Sequence, residues 1–259
     1  MALEIIDTHC HLDHEPFDAD RGECIARALQ SGVTRMITIG TGKGLTGAHR
    51  AIALAEQHPM IWASVGIHPH SAGEAFEPAE LERLAQHPRV VAIGETGLDF
   101  YRDWSPVDKQ YEVFRLQIEL AKKVRKPLII HSRNAGLECL RMLIENNARE
   151  VGGVLHCFSE DASFASRLKE INFLVSFPGQ LTFKKAEDVR AVCKAIPLEQ
   201  IMIETDSPFL APEPHRGQRC EPAFVLETAK KLASIKGLSL EQVAEITTRN
   251  ALTLFSGMR

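Results

Sequence analysis

The chain has 259 residues, 44% hydrophobic and 25% charged, with a formal net charge of -4. This is the composition of an ordinary globular protein with a sizeable core. It lacks a polybasic footprint, which excludes a protein that coats nucleic acid but not an enzyme that handles one strand end.

Short apolar, β-branched runs alternate with segments of helical spacing along the whole length. In chain order the pairs are 3–8 with 21–31, 35–40 with 45–58, 61–67 with 78–86, and 90–94 with 109–124. They continue as 127–131 with 137–146, 153–156 with 163–170, 173–177 with 185–195, and 201–205 with 222–236. In 109–124, Val113, Leu116, Leu120 and Val124 make an apolar stripe, with Glu112, Arg115, Glu119 and Lys123 elsewhere. Strands that are apolar throughout, alternating with helices, indicate a parallel sheet covered on both faces. Eight such units suit a single α/β domain over 1–259, a closed (β/α)8 TIM barrel. An open doubly wound sheet would favour a Gly-rich turn after the first strand, where this chain has His-Cys-His. The tail, 239–255, reads as one or two extra C-terminal helices, with Ser239 and Gln242 forming a capping box.

Met1-Ala2-Leu3-Glu4 has neither the basic nor the apolar region of a signal peptide, and no apolar run approaches membrane-spanning length. The six cysteines show no CxxC and read as reduced thiols. A cytoplasmic protein with no membrane partner is therefore expected, a monomer unless it self-associates.

In a (β/α)8 barrel, function sits at the C-terminal ends of the strands. Those ends carry His9 and His11 after the first strand, Glu95 after the fourth, His131 at the fifth, His156 at the sixth and Asp206 at the eighth. His9 and His11, two residues apart in an extended chain, share a face, and neutral imidazole is the commonest nitrogen ligand for zinc and its neighbours. Six nitrogen and oxygen ligands are too many for one tetrahedral ion with an open position. They suit two divalent ions about 3.5–4 Å apart with a carboxylate shared between them, an arrangement used for hydrolysis. Asp206, at the edge of the pair, is placed to take the attacking water's proton. With no cysteine among the ligands, magnesium, manganese, zinc, cobalt and nickel all remain open. Cys10 and Cys157, each beside one of these histidines, are expected to pack away from the site.

The chain resembles the TatD-type metal-dependent hydrolases, a family of amidohydrolase-like barrels. The matching stretches are Asp7-Thr8-His9-Cys10-His11, Gly66-Ile67-His68-Pro69-His70, Gly94-Glu95-Thr96-Gly97-Leu98-Asp99 and Ile130-His131-Ser132-Arg133. Further along come His156-Cys157-Phe158-Ser159, Glu204-Thr205-Asp206-Ser207-Pro208 and Pro214-His215-Arg216-Gly217. The resemblance implies a TIM barrel, two divalent ions, and 3′-to-5′ trimming of single-stranded DNA or DNA 3′ ends. Position by position it implies His9, His11, Glu95, His131, His156 and Asp206 as metal ligands. Glu95 is the bridging one, and Glu95 and Asp206 are the catalytic carboxylates. Asn134, Gln218 and Cys220 depart from the family pattern at positions that bear on substrate choice.

Around these lie residues with two readings each. His68 is a phosphate contact or a polar loop residue. Arg133 either holds a phosphate or orients its loop by pairing with Asp99. Asp7 reads as support for a ligating histidine. Arg216 and Arg219 either lend charge to a phosphate or are solvated, and Phe100, Tyr101 and Trp104 either stack a base or pack. Because a two-metal water attacks carbonyls as readily as phosphorus, an esterase or a deacylase acting on misacylated tRNA competes with the nuclease. A non-catalytic metal-binding scaffold is the third possibility, disfavoured by the complete ligand set.

Overall fold

The computed structural model describes residues 3–258. Met1, Ala2 and Arg259, the ends of the expected 1–259 span and of the leader reading, lie outside the described residues. Eight strands form one sheet in sequence order, every pairing parallel: β1 (Ile5–Cys10), β2 (Val33–Gly40), β3 (Ile61–Val65), β4 (Val90–Asp99), β5 (Leu128–Arg133), β6 (Gly153–Leu155), β7 (Phe173–Phe177) and β8 (Ile201–Ile203). The last strand returns to the first through the Cys10–Ser207 bridge. Hydrogen bonds from Asp206 N to His9 O (2.9 Å) and from His11 N to Ser207 O (2.7 Å) reinforce that seam. The expected (β/α)8 barrel is the fold.

The helices α1 (Arg21–Gln30), α2 (Thr46–Gln57), α3 (Pro78–Ala85), α4 (Val107–Val124), α5 (Gly136–Glu145), α6 (Ala162–Glu170), α7 (Glu187–Ala195) and α8 (Val225–Lys236) alternate with the strands. The expected tail is one α-helix, α9 (Leu240–Leu254), followed by a single 3-10 turn. Its capping box is in place: Ser239 N donates to Gln242 Oε1 (2.9 Å) and Gln242 N to Ser239 Oγ (3.2 Å). Among the described residues no helix is long and apolar enough to cross a membrane.

Two cores result. The larger lies between sheet and helices; a smaller one draws Ile6, Ile37, Ile39, Ile129, Val154 and Met202 from strands all round the barrel. Phe255 and Met258, fully buried beyond α9, complete this inner core. They plug the barrel at its N-terminal end, where Gly257 lies against Val91 at the start of β4.

Three strands run past the C-terminal ends of their apolar runs: β1 to Cys10, β4 to Asp99 and β5 to Arg133. β4 continues through Asp99 because Thr96–Asp99 pairs with Ile130–Arg133. Between Ile93 and Thr96 the register slips by one residue, and β1 slips in the same way between Asp7 and Cys10. Such bulges re-aim side chains near active sites. His9 and Glu95 sit in the two slips.

Candidate metal centre

Each irregularity has a local cause. Gly94 sits at φ +144, and a Cβ there would meet Ile129 O at 2.5 Å. Only glycine accepts that backbone at that distance, and the residue after it, Glu95, belongs to the buried site. On β1, Asp7 is fully buried and accepts from Thr205 N (2.9 Å), Thr205 Oγ1 (2.6 Å) and His9 N (3.3 Å). Burial nonetheless pushes its carboxyl up to about 8. Asp7 thus supports the site through backbone: it ties the His9 segment to the loop that carries Asp206. It does not touch the imidazole of His9.

The Glu95 carboxylate is the meeting point. Its Oε1 lies 2.7 Å from His156 Nε2, 3.0 Å from His131 Nδ1 and 3.5 Å from His68 Nε2, and its Oε2 lies 3.6 Å from His9 Nε2. Asp206 Oδ1 stands across the site, 3.6 Å from His9 Nε2 and 3.4 Å from His11 Nε2. Asp206 adopts a left-handed backbone (φ +57), so the chain turns sharply there after β8. The structure therefore brings all six expected ligands together. Among the described residues three donor groups result: His9 with His11 and Asp206, His9 with Glu95 and His156, and His131 with His68 and His70.

The electrostatics favour a cation. Burial alone would raise the Glu95 carboxyl, but the histidines around it, His156 foremost, hold it well below the usual carboxylate range. Burial drives His9 well below its ordinary value, and His68 down to about 4. His11, His131 and His156 go the other way: burial opposes, yet Asp206 lifts the first, Asp99 with Glu95 the second, and Glu95 with Glu204 the third. Both ring nitrogens of His9 and the Nδ1 atoms of His11 and His156 are buried without a hydrogen bond. Leaving such an atom unsatisfied costs about 1–3 kcal/mol, so native structures rarely keep several together. One of these, His9 Nε2, faces Glu95 and Asp206, where His11 Nε2 and His156 Nε2 join it; imidazole nitrogens converging on carboxylate oxygens fit a divalent ion of zinc-like or harder character.

Supporting groups lie one layer out, and the sequence reading missed most of them. Asp99 Oδ2 accepts from His131 Nε2 (3.0 Å) and from His70 Nε2 (2.7 Å), while its Oδ1 accepts from the amides of Tyr101 and Arg102 (2.9 Å each). With Nε2–H donating to Asp99, the lone pair of His131 Nδ1 points at the centre, the tautomer that ligation needs. Glu204 lies 3.5 Å from His156 Nδ1 and accepts from Cys157 N (2.7 Å) and from Ser176 Oγ. On α4 the buried Gln117 bonds both backbone groups of Ile67, and the buried Gln110 bonds both of Asp99. Two glutamines on an otherwise apolar helix face were the available signal.

Other expectations need correction. Arg133 does not pair with Asp99, whose oxygens are occupied as above. Its guanidinium lies 3.9 Å over the Tyr101 ring. Arg219 bonds Asp20 (2.7 Å) and stacks on Phe17, and Arg216 bonds Ala211 O (2.7 Å) and stacks on Phe183, so neither is held ready for a phosphate. Cys10 packs away as expected, its thiol on Ile37 O, but Cys157 lines the cavity. β6 ends at Leu155 and Cys157 has φ +48, so strand alternation does not reach it. Asn134 occupies a left-handed position (φ +54), which asparagine tolerates. Cys220 is buried, and Gln218 N closes a turn on His215 O.

The centre forms the floor of a cavity of about 710 Å³ bounded by His68, Arg133, Trp104, Phe209, His14 and Gln180 among others.

Comparison with known proteins agrees with this geometry. The model of the TatD related DNase family matches residues 6–256. The chain is 43% identical over 253 residues to the uncharacterized metal-dependent hydrolase YabD of Bacillus subtilis, covering 97% of this chain and 98% of that one. It is 33% identical over 254 residues to a Rahnella protein named 3′-5′ ssDNA/RNA exonuclease TatD (95% and 96% covered). Its fold superposes on the crystal structure of the TatD homolog YJJV from Escherichia coli with a TM-score of 0.90, at 29% identity and 99% coverage of both chains.

Proposed function

The chain belongs to the TatD-related DNase family of metal-dependent hydrolases, and from that premise we propose that it hydrolyses phosphodiester bonds at the 3′ end of single-stranded DNA. The observation that carries this reading is the Glu95 carboxylate, shared between two groups of histidines at the floor of an open cavity, with Asp206 facing it. The similarity to a relative named a single-strand exonuclease supports the substrate class.

His9, His11 and Asp206 would hold one divalent ion, and His131 and His156 a second, with Glu95 serving both. Bound there, such ions supply Lewis-acid stabilisation of phosphoryl oxygens and a more acidic water. The chain's own groups do the rest. The Asp206 side chain is 16% exposed where that of Glu95 is 4%, so Asp206 is the carboxylate that an incoming water reaches, and it accepts that water's proton. Glu95, gripped by four histidines, stays ionised and fixed. Asp99 and Glu204 orient His131 and His156. His68 and Arg133 stand on the cavity wall to contact a phosphate.

The test uses metal-stripped protein with Mg²⁺, Mn²⁺ or Zn²⁺ restored and Asp206→Ala as control, offered 3′- and 5′-labelled single-stranded DNA. Stepwise, metal-dependent loss from the 3′ end is expected. Hydrolysis of an aminoacyl-tRNA or a simple ester with intact DNA would overturn the nuclease reading and leave the metal hydrolase.

A further inference from the structure

Two large apolar rings stand in water at the mouth of the cavity. Trp104 is 63% exposed and Phe209 54%. They come from loops on separate units, after β4 and after β8, yet both line the same cavity. Each is set edge-on to a histidine of a different half of the site. Phe209 meets His11 with ring centres 6.1 Å apart at 72°, and Trp104 meets His70 at 4.5 Å and 67°. His70 in turn shares Asp99 with His131. The rings therefore flank the two carboxylates, one beside His11 and Asp206 and the other beside His131 and Glu95.

Arginines accompany the ring on the β4 side. Arg102 lies between Tyr101 and Trp104, 5.1 and 5.3 Å from their centres, and Arg133 covers the other aromatic, Tyr101. Tyr101 is thus already stacked, and Phe100 tilts toward Tyr111 at 6.2 Å. Of the three aromatics in this loop, only Trp104 presents itself to the cavity. Phe209 is its unforeseen counterpart.

We infer that Trp104 and Phe209 are base platforms on either side of the scissile phosphate, so that the site recognises a strand end by two unstacked bases. This rests on the nuclease reading above and sharpens it. Aromatic faces accept any base, since every base has a π-face, and neighbouring guanidinium groups track the backbone. Bases within a duplex are stacked on each other and cannot use such platforms, so the arrangement selects single strands or frayed ends without reading sequence.

The experiment uses the full-length protein with its metal and a short oligothymidylate, compared with strands in which the base on one side of the terminal phosphodiester has been replaced by an abasic sugar. Charge and backbone are then constant. Removing either base is expected to raise KM about tenfold, the scale of one base–aromatic stack. In Trp104→Ala the preference for one of the two bases collapses toward unity, and in Phe209→Ala the preference for the other does. Trp104→Phe retains it. Binding is read separately with a phosphorothioate-linked strand: Trp104 fluorescence in a Trp62→Phe background is expected to be quenched by the base-bearing strand and not by a fully abasic one. The chain has only two tryptophans, so the signal is unambiguous. Equal KM for base-bearing and abasic strands, or preferences unchanged in both truncations, would overturn the platforms while leaving the nuclease. Quenching without any cleavage would overturn the nuclease reading and support base binding.

Discussion

The two ends of this barrel are built from the same eight strands under opposite rules. At the N-terminal end Ile6, Val91, Met202, Phe255 and Met258 close an inner core that is apolar throughout. At the C-terminal end the interior holds His9, His11, Glu95 and His156, all buried, with ring nitrogens that no hydrogen bond satisfies. Stability is drawn from the first end and spent at the second: local strain and unsatisfied polarity concentrate where function sits. Substitutions at the two ends should therefore separate activity from stability.

The largest effect belongs at the functional rim. Glu95→Ala and Asp206→Ala are each expected to lower kcat by at least about 10³-fold, on the scale of removing a group on which the transition state depends. Their circular-dichroism spectra should stay near wild type. Full turnover in either variant would remove that residue from the mechanism. At the other end, Phe255→Ala should destabilise by about 3–5 kcal/mol through loss of buried area and a residual cavity, measured by urea denaturation. Metal content and kcat of the folded variant should be unchanged. A variant that loses metal while still folded would show that the two ends are coupled after all.

This contrast also explains what was legible in the amino-acid sequence. The barrel was, because eight β-branched runs alternating with amphipathic segments leave few other arrangements. Five of the six proposed ligands were readable as polar residues at or just beyond the end of an apolar run. Glu95 was readable too, but its position inside β4 was not: Gly94 marks the bulge locally, yet the continuation of the strand past it is set by pairing with β5. The supporting carboxylates were obscured for a related reason. Asp99 acts on His131 from β4 and Glu204 on His156 from just beyond β8, and a partner brought close by tertiary folding has no fixed spacing in the chain. Arg216 and Arg219 misled because sequence gives charge but not the carboxylate that already holds it.

Intermediate effects come from the layer behind the ligands. Asp99→Asn keeps the shape and one acceptor but removes the charge that fixes His131, and should weaken metal binding about 10–100-fold, read by competition with a coloured chelator. Unchanged affinity would make Asp99 a loop-organising residue only. Proton release is the companion measurement. His11, His131 and His156 all hold protons more tightly than an ordinary histidine, whereas a ligating nitrogen must be bare. Metal uptake near neutral pH should therefore expel protons, and apparent affinity should fall as pH is lowered. Calorimetric titration in two buffers of different ionisation enthalpy counts them. A count of zero would mean that the ligands are already deprotonated.

The smallest effect expected is also the most discriminating. Arg133 stands between the two regimes: it lies at the end of β5, two residues past His131, but its guanidinium is stacked on an exposed ring instead of buried in the centre. Stacking on Tyr101 leaves the guanidinium edge free to donate, because a cation over a ring face uses none of its N–H groups. If that edge meets a substrate phosphate, Arg133→Ala removes binding shared by ground and transition states. KM for an oligonucleotide should then rise several-fold with kcat nearly unchanged. Tyr101→Ala, which removes the support but not the charge, should produce a weaker change in the same direction. If instead the stack only stiffens the loop after β4, both variants should change KM equally, and Arg133→Lys, which restores charge without the planar fork, should fail to recover any of it. The ordering of these three KM values thus separates a phosphate contact from a structural stack on the same residue.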